Sequence, residues 1–265
     1  MIDTYAFEAG DLPLLISIPH DGRQLPCEIA ADMTDAGRAI PDTDWHVARL
    51  YGFAREIGAS ILRAEYSRYV VDLNRPADDS CLYEGRFGSS LCPTHTFAGD
   101  DIYAKGASID REARIDDFWR PYHDKLAKTL AELRDEHGYA LLWDAHSIPS
   151  RVPSLFDGEL PELNLGTWDR RSCGEPIAGA VMAAAEAGRY SVVCNGRFKG
   201  GYITRHYGRP GEHVQAIQLE LAQRTYMDEA SQKYDSAGAS RLRGTLRRML
   251  AAYLAAAAES LGEMR

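Results

Sequence analysis

Three short apolar runs limit what this chain can fold into: "LPLLISIPH" at 12–20, "YALLWDAHS" at 139–147 and "VQAIQLEL" at 214–221. Each has the length of a single strand, and each is separated from the next by sequence with helical spacing. In "DTDWHVARLYGFAREIG" (42–58), Val47, Leu50, Tyr51 and Ala54 recur as on one helical face. After Asp110, "REARIDDFWRPYHDKLAKTLAELRDEHG" reads as helix, broken or kinked at Pro121 and stopped by Gly138. "EPIAGAVMAAAEAG" and the alanine-rich "SRLRGTLRRMLAAYLAAAAESL" are further helices, while "ASILRAEY", "RYVVDLNRP" and "RYSVVCN" supply further strands. Such alternation predicts an α/β fold, a three-layer α/β/α sandwich with a mostly parallel central sheet. At 265 residues the chain can bury one large core, and a single domain over 1–265 is expected.

Charge and composition then exclude classes of function. The net charge is −9 and no basic run is present to neutralise phosphates, which argues against a nucleic-acid partner. No apolar window reaches membrane-spanning length, and "MIDTYAFEAGDLP" lacks a basic stretch followed by an apolar one, so a cytoplasmic protein without a membrane partner is expected. Five cysteines, odd in number and without a C-x-x-C pair, indicate neither a disulfide framework nor a thiolate metal site. The stretch 77–109, rich in Gly, Ser and Asp and without a clear period, reads as a long loop of the kind that forms lids. Nothing in the sequence fixes an oligomeric state.

Several expected strands end in groups suited to catalysis. "SIPHDG" brings His20, "VVDLNRP" brings Asn74 and Arg75, "LLWDAH" brings Asp144 and His146, and "IQLEL" brings Glu220. In open α/β sheets, ligands sit where strand ends run into loops. Two imidazoles and a carboxylate can hold Zn²⁺ and leave one position open for water, and a separate carboxylate can then serve as base. An adjacent Asn-Arg pair suits a substrate carboxylate, because a guanidinium offers two parallel donors. Together these groups describe a metal-dependent hydrolase of a small anionic amide. A metal-free hydrolase using Ser147 as nucleophile is disfavoured, since no G-x-S-x-G elbow occurs and neighbouring strand residues point to opposite faces. A non-catalytic sensor of acidic ligands would have no need of Glu220 beside the metal.

Six ordered blocks, "ISIPHDGRQLP", "DTDWHVARLYG", "RYVVDLNRP", "LLWDAHSIPS", "NGRFKGGYITRHYGRP" and "IQLELAQRTYMDE", resemble the N-formylglutamate amidohydrolase family of histidine breakdown. More distantly that family is similar to the zinc carboxypeptidases and aspartoacylases, which implies a zinc-exopeptidase-like sheet. The resemblance implies His20 and His146 as ligands of one divalent metal, Zn²⁺, with Asn74 and Arg75 as the clamp for a dicarboxylate substrate and Glu220 as general base. The His-x-x-Glu of the distant relatives does not transfer, because Arg23 stands three residues after His20. The missing ligand is therefore expected from Asp44, ahead of Asp42, Asp21 and His46, although an Asp opening a helix can equally be an N-cap. Arg68 and the loop residues Arg205, His206 and Arg209 are candidates for the second carboxylate or the oxyanion, with Gly200, Gly201 and Gly208 allowing close backbone approach or lid motion. The implied reaction releases formate and L-glutamate from N-formyl-L-glutamate, and the runner-up substrate is another N-acyl acidic amino acid.

Overall fold

The structure, a computed structural model, describes residues 3–81 and 90–262. Among these, the main sheet has seven strands: β1 (Tyr5–Glu8), β2 (Leu14–Ile18), β3 (Ser60–Ala64), β4 (Ala140–Ile148), β5 (Leu163–Gly166), β6 (Val192–Cys194) and β7 (Val214–Ala222). Their order is β1-β3-β2-β4-β7-β5-β6. The centre, β3-β2-β4-β7, is parallel, whereas β1 runs antiparallel to β3 and β5 antiparallel to β7. The sheet is thus mixed.

The two-residue period of the strands sorts their side chains into two cores. Leu14, Ile16, Ile18, Leu141, Trp143, Ile217 and Leu219 face one side. There they meet α2 (Glu175–Glu186) and α4 (Ser236–Leu261) through Ile177, Val181, Leu242, Leu246 and Met249. Leu15, Leu62, Ala140, Leu142 and Ala216 face the other side and pack on Tyr122, Leu126, Leu130 and Leu133. Those four belong to α1, which runs as Arg111–Arg114, a π turn at Ile115–Trp119, and Arg120–His137. Helices on both faces complete the three-layer α/β/α sandwich.

Four local expectations change. Residues 42–58 form only two short turns, Val47–Leu50 and Tyr51–Ala54, because Asp44 and Thr43 belong to a loop and His46 takes a left-handed φ of 65°. "RYVVDLNRP" is not a strand: among the described residues it pairs with no strand, and Tyr69 through Asn74 are buried as irregular backbone. The interruption of α1 is a π turn directly before Pro121, whose missing N–H cannot bond the carbonyl four residues back. The glycine-rich stretch 195–213 contains a short helix, α3 (Tyr202–Tyr207). Of the expected lid, residues 82–89 lie outside the described residues. From Ser90 onward the segment packs against the body, with Leu91 and Ile102 buried.

Candidate active site

The parallel strands β2, β4 and β7 place their C-terminal ends side by side, where ligands are expected. On β4 the alternation turns Leu141, Trp143 and Ala145 into one core and sends Asp144 and His146 to the face that α1 also covers. His146 lies directly across from Glu220 in the β4–β7 register. His20 follows the end of β2, and the loop after it returns Asp44, whose N–H donates to the His20 carbonyl at 3.0 Å. One cleft of about 680 Å³, including its open mouth, is lined by His20, Asp44, Arg68, Asn74, Arg75, His146 and Glu220. Phe97, Ile148, Leu155, Arg197, Phe198 and Gln218 complete much of its wall.

His20, Asp44 and His146 are all buried, and one ligand atom from each lies within 4.8 Å of the others. Asp44 Oδ2 is 3.0 Å from His146 Nδ1 and 3.8 Å from His20 Nδ1. The opposite ring nitrogens are held by other carboxylates: His20 Nε2 is 2.8 Å from Asp72 Oδ1, and His146 Nε2 is 3.1 Å from Asp144 Oδ1. A carboxylate behind each imidazole, fixing ring and tautomer, is the arrangement metal-binding histidines use. The donor set fits a divalent cation. The other candidates for the third ligand are committed elsewhere. Asp42 accepts from Tyr69 Oη at 2.5 Å and from the Phe97 N–H, and Asp21 accepts from the His46 and Ala48 N–H groups and from Arg23. His46 Nε2 meets the Gln232 carbonyl.

The buried charges set the protonation states. Burial, joined by Arg68, holds the His20 pKa below its ordinary value against the pull of Asp72 and Asp44. Burial also disfavours the charged form of His146, but Asp144 and Asp44 outweigh it and raise its pKa well above the usual imidazole range. Asp44 is lowered despite burial by the bond from His146 and the charges of His20, His146 and Arg68. Burial pushes Glu220 up to about 8, opposed by His146 and Arg68 and assisted by Asp44 and Asp144.

Arg68 is bound to Asp72 Oδ2 at 2.6 Å and so belongs to the support of His20 as well as to the cleft wall. Asn74 has both ends of its amide engaged: Oδ1 accepts from the Ile203 N–H at 2.8 Å, and Nδ2 lies 2.9 Å from His146 Nε2. Ser147 accepts from Tyr226 Oη at 2.7 Å, and its own N–H donates to Asp44. Its hydroxyl is therefore tied to Tyr226.

Arg205, His206 and Arg209 do not line the cleft. Helix α3 buries Ile203 and Thr204, so Arg205 and His206 point elsewhere. Arg205 Nε donates to the Gly200 carbonyl, His206 stacks on Tyr202, and Arg209 pairs with Glu212. His206 and Arg209 line a separate surface hollow beside Leu130 and Arg134. The glycines serve close packing: Gly200 has φ +108°, and a Cβ at Gly201 would stand 2.4 Å from Asn74 Nδ2.

Residues 12–227 match the family profile described as N-formylglutamate amidohydrolase. The chain belongs to that family. The N-formylglutamate deformylase of Pseudomonas aeruginosa is 52% identical to it over 262 residues, covering 96% of this chain and 97% of that one. The N-formylglutamate deformylase of Pseudomonas putida is 51% identical over 228 residues, covering 84% and 85%. Among solved structures, the N-formylglutamate amidohydrolase from Ralstonia eutropha JMP134 is similar with a TM-score of 0.82 over 99% of both chains. At 23% identity that likeness speaks for the fold.

Within this N-formylglutamate amidohydrolase family member, the site also holds residues to which sequence reasoning assigned no role of their own, Asp144 having been named only as a polar group at a strand end. Asp72 and Asp144 orient the two imidazoles, Gln218 donates to Glu220 at 3.3 Å, and Arg197 lines the cleft. The i, i+2 spacings of Asp144 with His146 and of Gln218 with Glu220 carried that signal, because same-face neighbours on a strand are two apart. Asp72 carried none, since its segment is irregular.

Proposed function

We propose that this protein hydrolyses N-formyl-L-glutamate to formate and L-glutamate in the cytoplasm, as the last step of histidine breakdown, and that the reaction depends on a divalent metal. The observation that carries the reading is the cleft itself, in which a His20–Asp44–His146 donor set, a separate Glu220 and the guanidinium-bearing residues Arg75 and Arg197 share one small volume. The names of the two Pseudomonas relatives support the choice of acyl group and amino acid.

His20, Asp44 and His146 would hold the cation. A cation in this set, zinc by its two nitrogens and one oxygen, polarises a carbonyl oxygen, acidifies a water molecule and draws nearby carboxyl groups towards ionisation. Asp72 and Asp144 keep the imidazoles in their tautomers. Glu220, once ionised, takes the proton of the attacking water and delivers it to the nitrogen of the leaving glutamate. Arg75 and Arg197 take the substrate's carboxylates, and Arg68 and Asn74 brace the wall from which Arg75 projects. Arg197 fills the part that sequence reasoning gave to Arg205, His206 and Arg209. Phe97, Leu155 and Phe198 enclose the aliphatic body of the substrate.

The test is formate release from N-formyl-L-glutamate by purified protein, with its metal content measured on the same sample. Full turnover in a metal-free preparation would remove the metal from the reading, and no formate release by the metal-loaded protein would remove the reaction.

A further inference from the structure

The buried segment 69–77 carries Asp72, Asn74 and Arg75 without belonging to the sheet, so its carbonyls need partners from elsewhere. Helix α1 supplies them from side chains. Arg111 donates to the Ala77 carbonyl at 2.6 Å, Arg114 to Val70 at 3.0 Å, Trp119 Nε1 to Arg75 at 2.9 Å, and His123 Nε2 to Leu73 at 2.9 Å. Because His123 Nε2 must donate to a carbonyl, its Nδ1 is the acceptor, and Tyr207 Oη donates to it at 2.9 Å. Trp119 and His123 also stack, with ring centroids 3.8 Å apart.

The spacing of these four donors is incompatible with a regular helix. At about 100° per residue, positions 111, 114, 119 and 123 spread over an arc of about 180°, half of the helix surface. The π turn at Ile115–Trp119 absorbs one extra residue between Arg114 and Trp119. Taking out that residue's rotation gathers all four donors into an arc of about 80°, a single face. The π turn therefore sets the register in which one helix can hold four carbonyls of one irregular segment.

From this geometry we infer that the π turn of α1 is the device that positions the substrate clamp, with Trp119 and His123 as positioning residues for Arg75 and Asn74. They reach the substrate only through the backbone they hold: Trp119 fixes the Arg75 carbonyl, and His123 fixes Leu73 immediately before Asn74. The inference rests on the proposed role of Arg75 towards a carboxylate.

Trp119→Phe tests it, because the ring and its stack on His123 remain while the indole N–H to Arg75 is lost. The expected result is a KM for N-formyl-L-glutamate raised roughly tenfold, with kcat held within about twofold and bound metal unchanged. Insertion of one alanine beside the exposed Asp116 should turn Trp119 and His123 by about a further 100° relative to Arg111 and Arg114 and raise KM at least as far, whereas Asp116→Ala keeps the residue count and should leave KM unchanged. A wild-type KM in Trp119→Phe would overturn the positioning role. Failure of the wild-type enzyme itself to release formate would instead overturn the proposed reaction, so the two failures are separable.

Discussion

Replacing Asp72 by Asn removes one oxygen's charge and little volume, yet the structure makes it among the most damaging changes at the site. Asp72 is fully buried, and three donors converge on it: His20 Nε2 at 2.8 Å and the Asn74 N–H at 2.9 Å on Oδ1, and Arg68 Nη2 at 2.6 Å on Oδ2. Arg68 and His20, together with these bonds, hold its carboxyl well below the usual range despite burial, so it is a carboxylate at all working pH values. An amide offers one acceptor and one donor end. With its oxygen towards His20, its NH₂ confronts the Arg68 guanidinium; flipped, it confronts both His20 and the Asn74 N–H. Either way a buried cation loses its counter-charge, which costs about 3 to 5 kcal/mol when one partner of a buried pair is removed. For a chain of this size that corresponds to a melting temperature lower by roughly 6 to 15 °C. In addition His20 is free to take the wrong tautomer, and loss of such a carboxylate behind a ligand weakens metal binding by about 10- to 100-fold. Calorimetry reads the first effect, and competition with a chromophoric chelator reads the second. A stability change under about 1 kcal/mol together with wild-type metal affinity would refute the reasoning.

Other perturbations separate the remaining roles. Prolonged chelation should abolish formate release and Zn²⁺ should restore it, while His146→Ala should retain its far-ultraviolet dichroism and bind almost no metal, as elemental analysis would show. Glu220→Gln keeps size and removes the proton acceptor, so kcat should fall by roughly 100-fold or more with metal content intact; near wild-type turnover would take Glu220 out of the mechanism. N-formyl-L-glutamate should be preferred over N-formyl-L-glutamine by at least roughly tenfold in kcat/KM, and Arg75→Ala or Arg197→Ala, whichever faces the side-chain carboxylate, should erase that margin, with Lys restoring only part of it. Burial above all pushes His123 down to about 3, so its imidazole is neutral in the fold while the unfolded chain protonates near its ordinary 6.5. Between those values the unfolded state binds the extra proton, and stability is lost as pH falls through that window. Urea denaturation should therefore show wild type losing about 3 kcal/mol more than His123→Gln between about pH 7 and about pH 4; a constant difference would contradict it.

What could be read from the sequence follows the physics of each element. β2, β4 and β7 were legible because apolar runs of strand length have few alternatives, and their polar ends marked His20, His146 and Glu220. Asp44 could only be weighed against Asp42, Asp21 and His46 once the resemblance left one ligand missing, since its place beside His20 is set by a loop whose backbone bonds, such as Asp44 N–H to the His20 carbonyl, leave no periodic trace. "RYVVDLNRP" misled for a definite reason. Its Val70, Val71 and Leu73 are as buried as those of an inner strand, but the carbonyls of Val70 and Leu73 are met by side chains of α1 rather than by a neighbouring strand. Hydrophobicity reports burial and not the identity of the hydrogen-bond partner. Arg205, His206 and Arg209 stood out as charges in a glycine-rich loop, whereas the phase of the short helix α3, which turns Ile203 and Thr204 inward, keeps Arg205 and His206 off the cleft wall. Arg197, in the same loop, was indistinguishable from them by composition.

The charge balance of the buried cluster gives an independent argument for a divalent ion. Asp44, Asp72 and Asp144 are buried within one hydrogen-bonded set with His20, His146 and Arg68. Counted at full ionisation, three carboxylates against one guanidinium leave a deficit of two positive charges, and buried charge of that size is costly without a partner. Without an ion, a proton on His146, whose pKa is held well above its ordinary range, answers part of the deficit, while burial above all keeps Glu220 up at about 8. Two positive charges placed among His20, Asp44 and His146 would close the balance with both imidazoles neutral, the state in which they can ligate. The same charge would lower Glu220 from about 8 towards ionisation, which the base role requires. Loading the metal should thus release protons from the site at neutral pH. Titrating Zn²⁺ into metal-free protein in weakly buffered solution, with a pH indicator present, measures that release directly, and binding without proton release would mean that the charge balance described here is wrong.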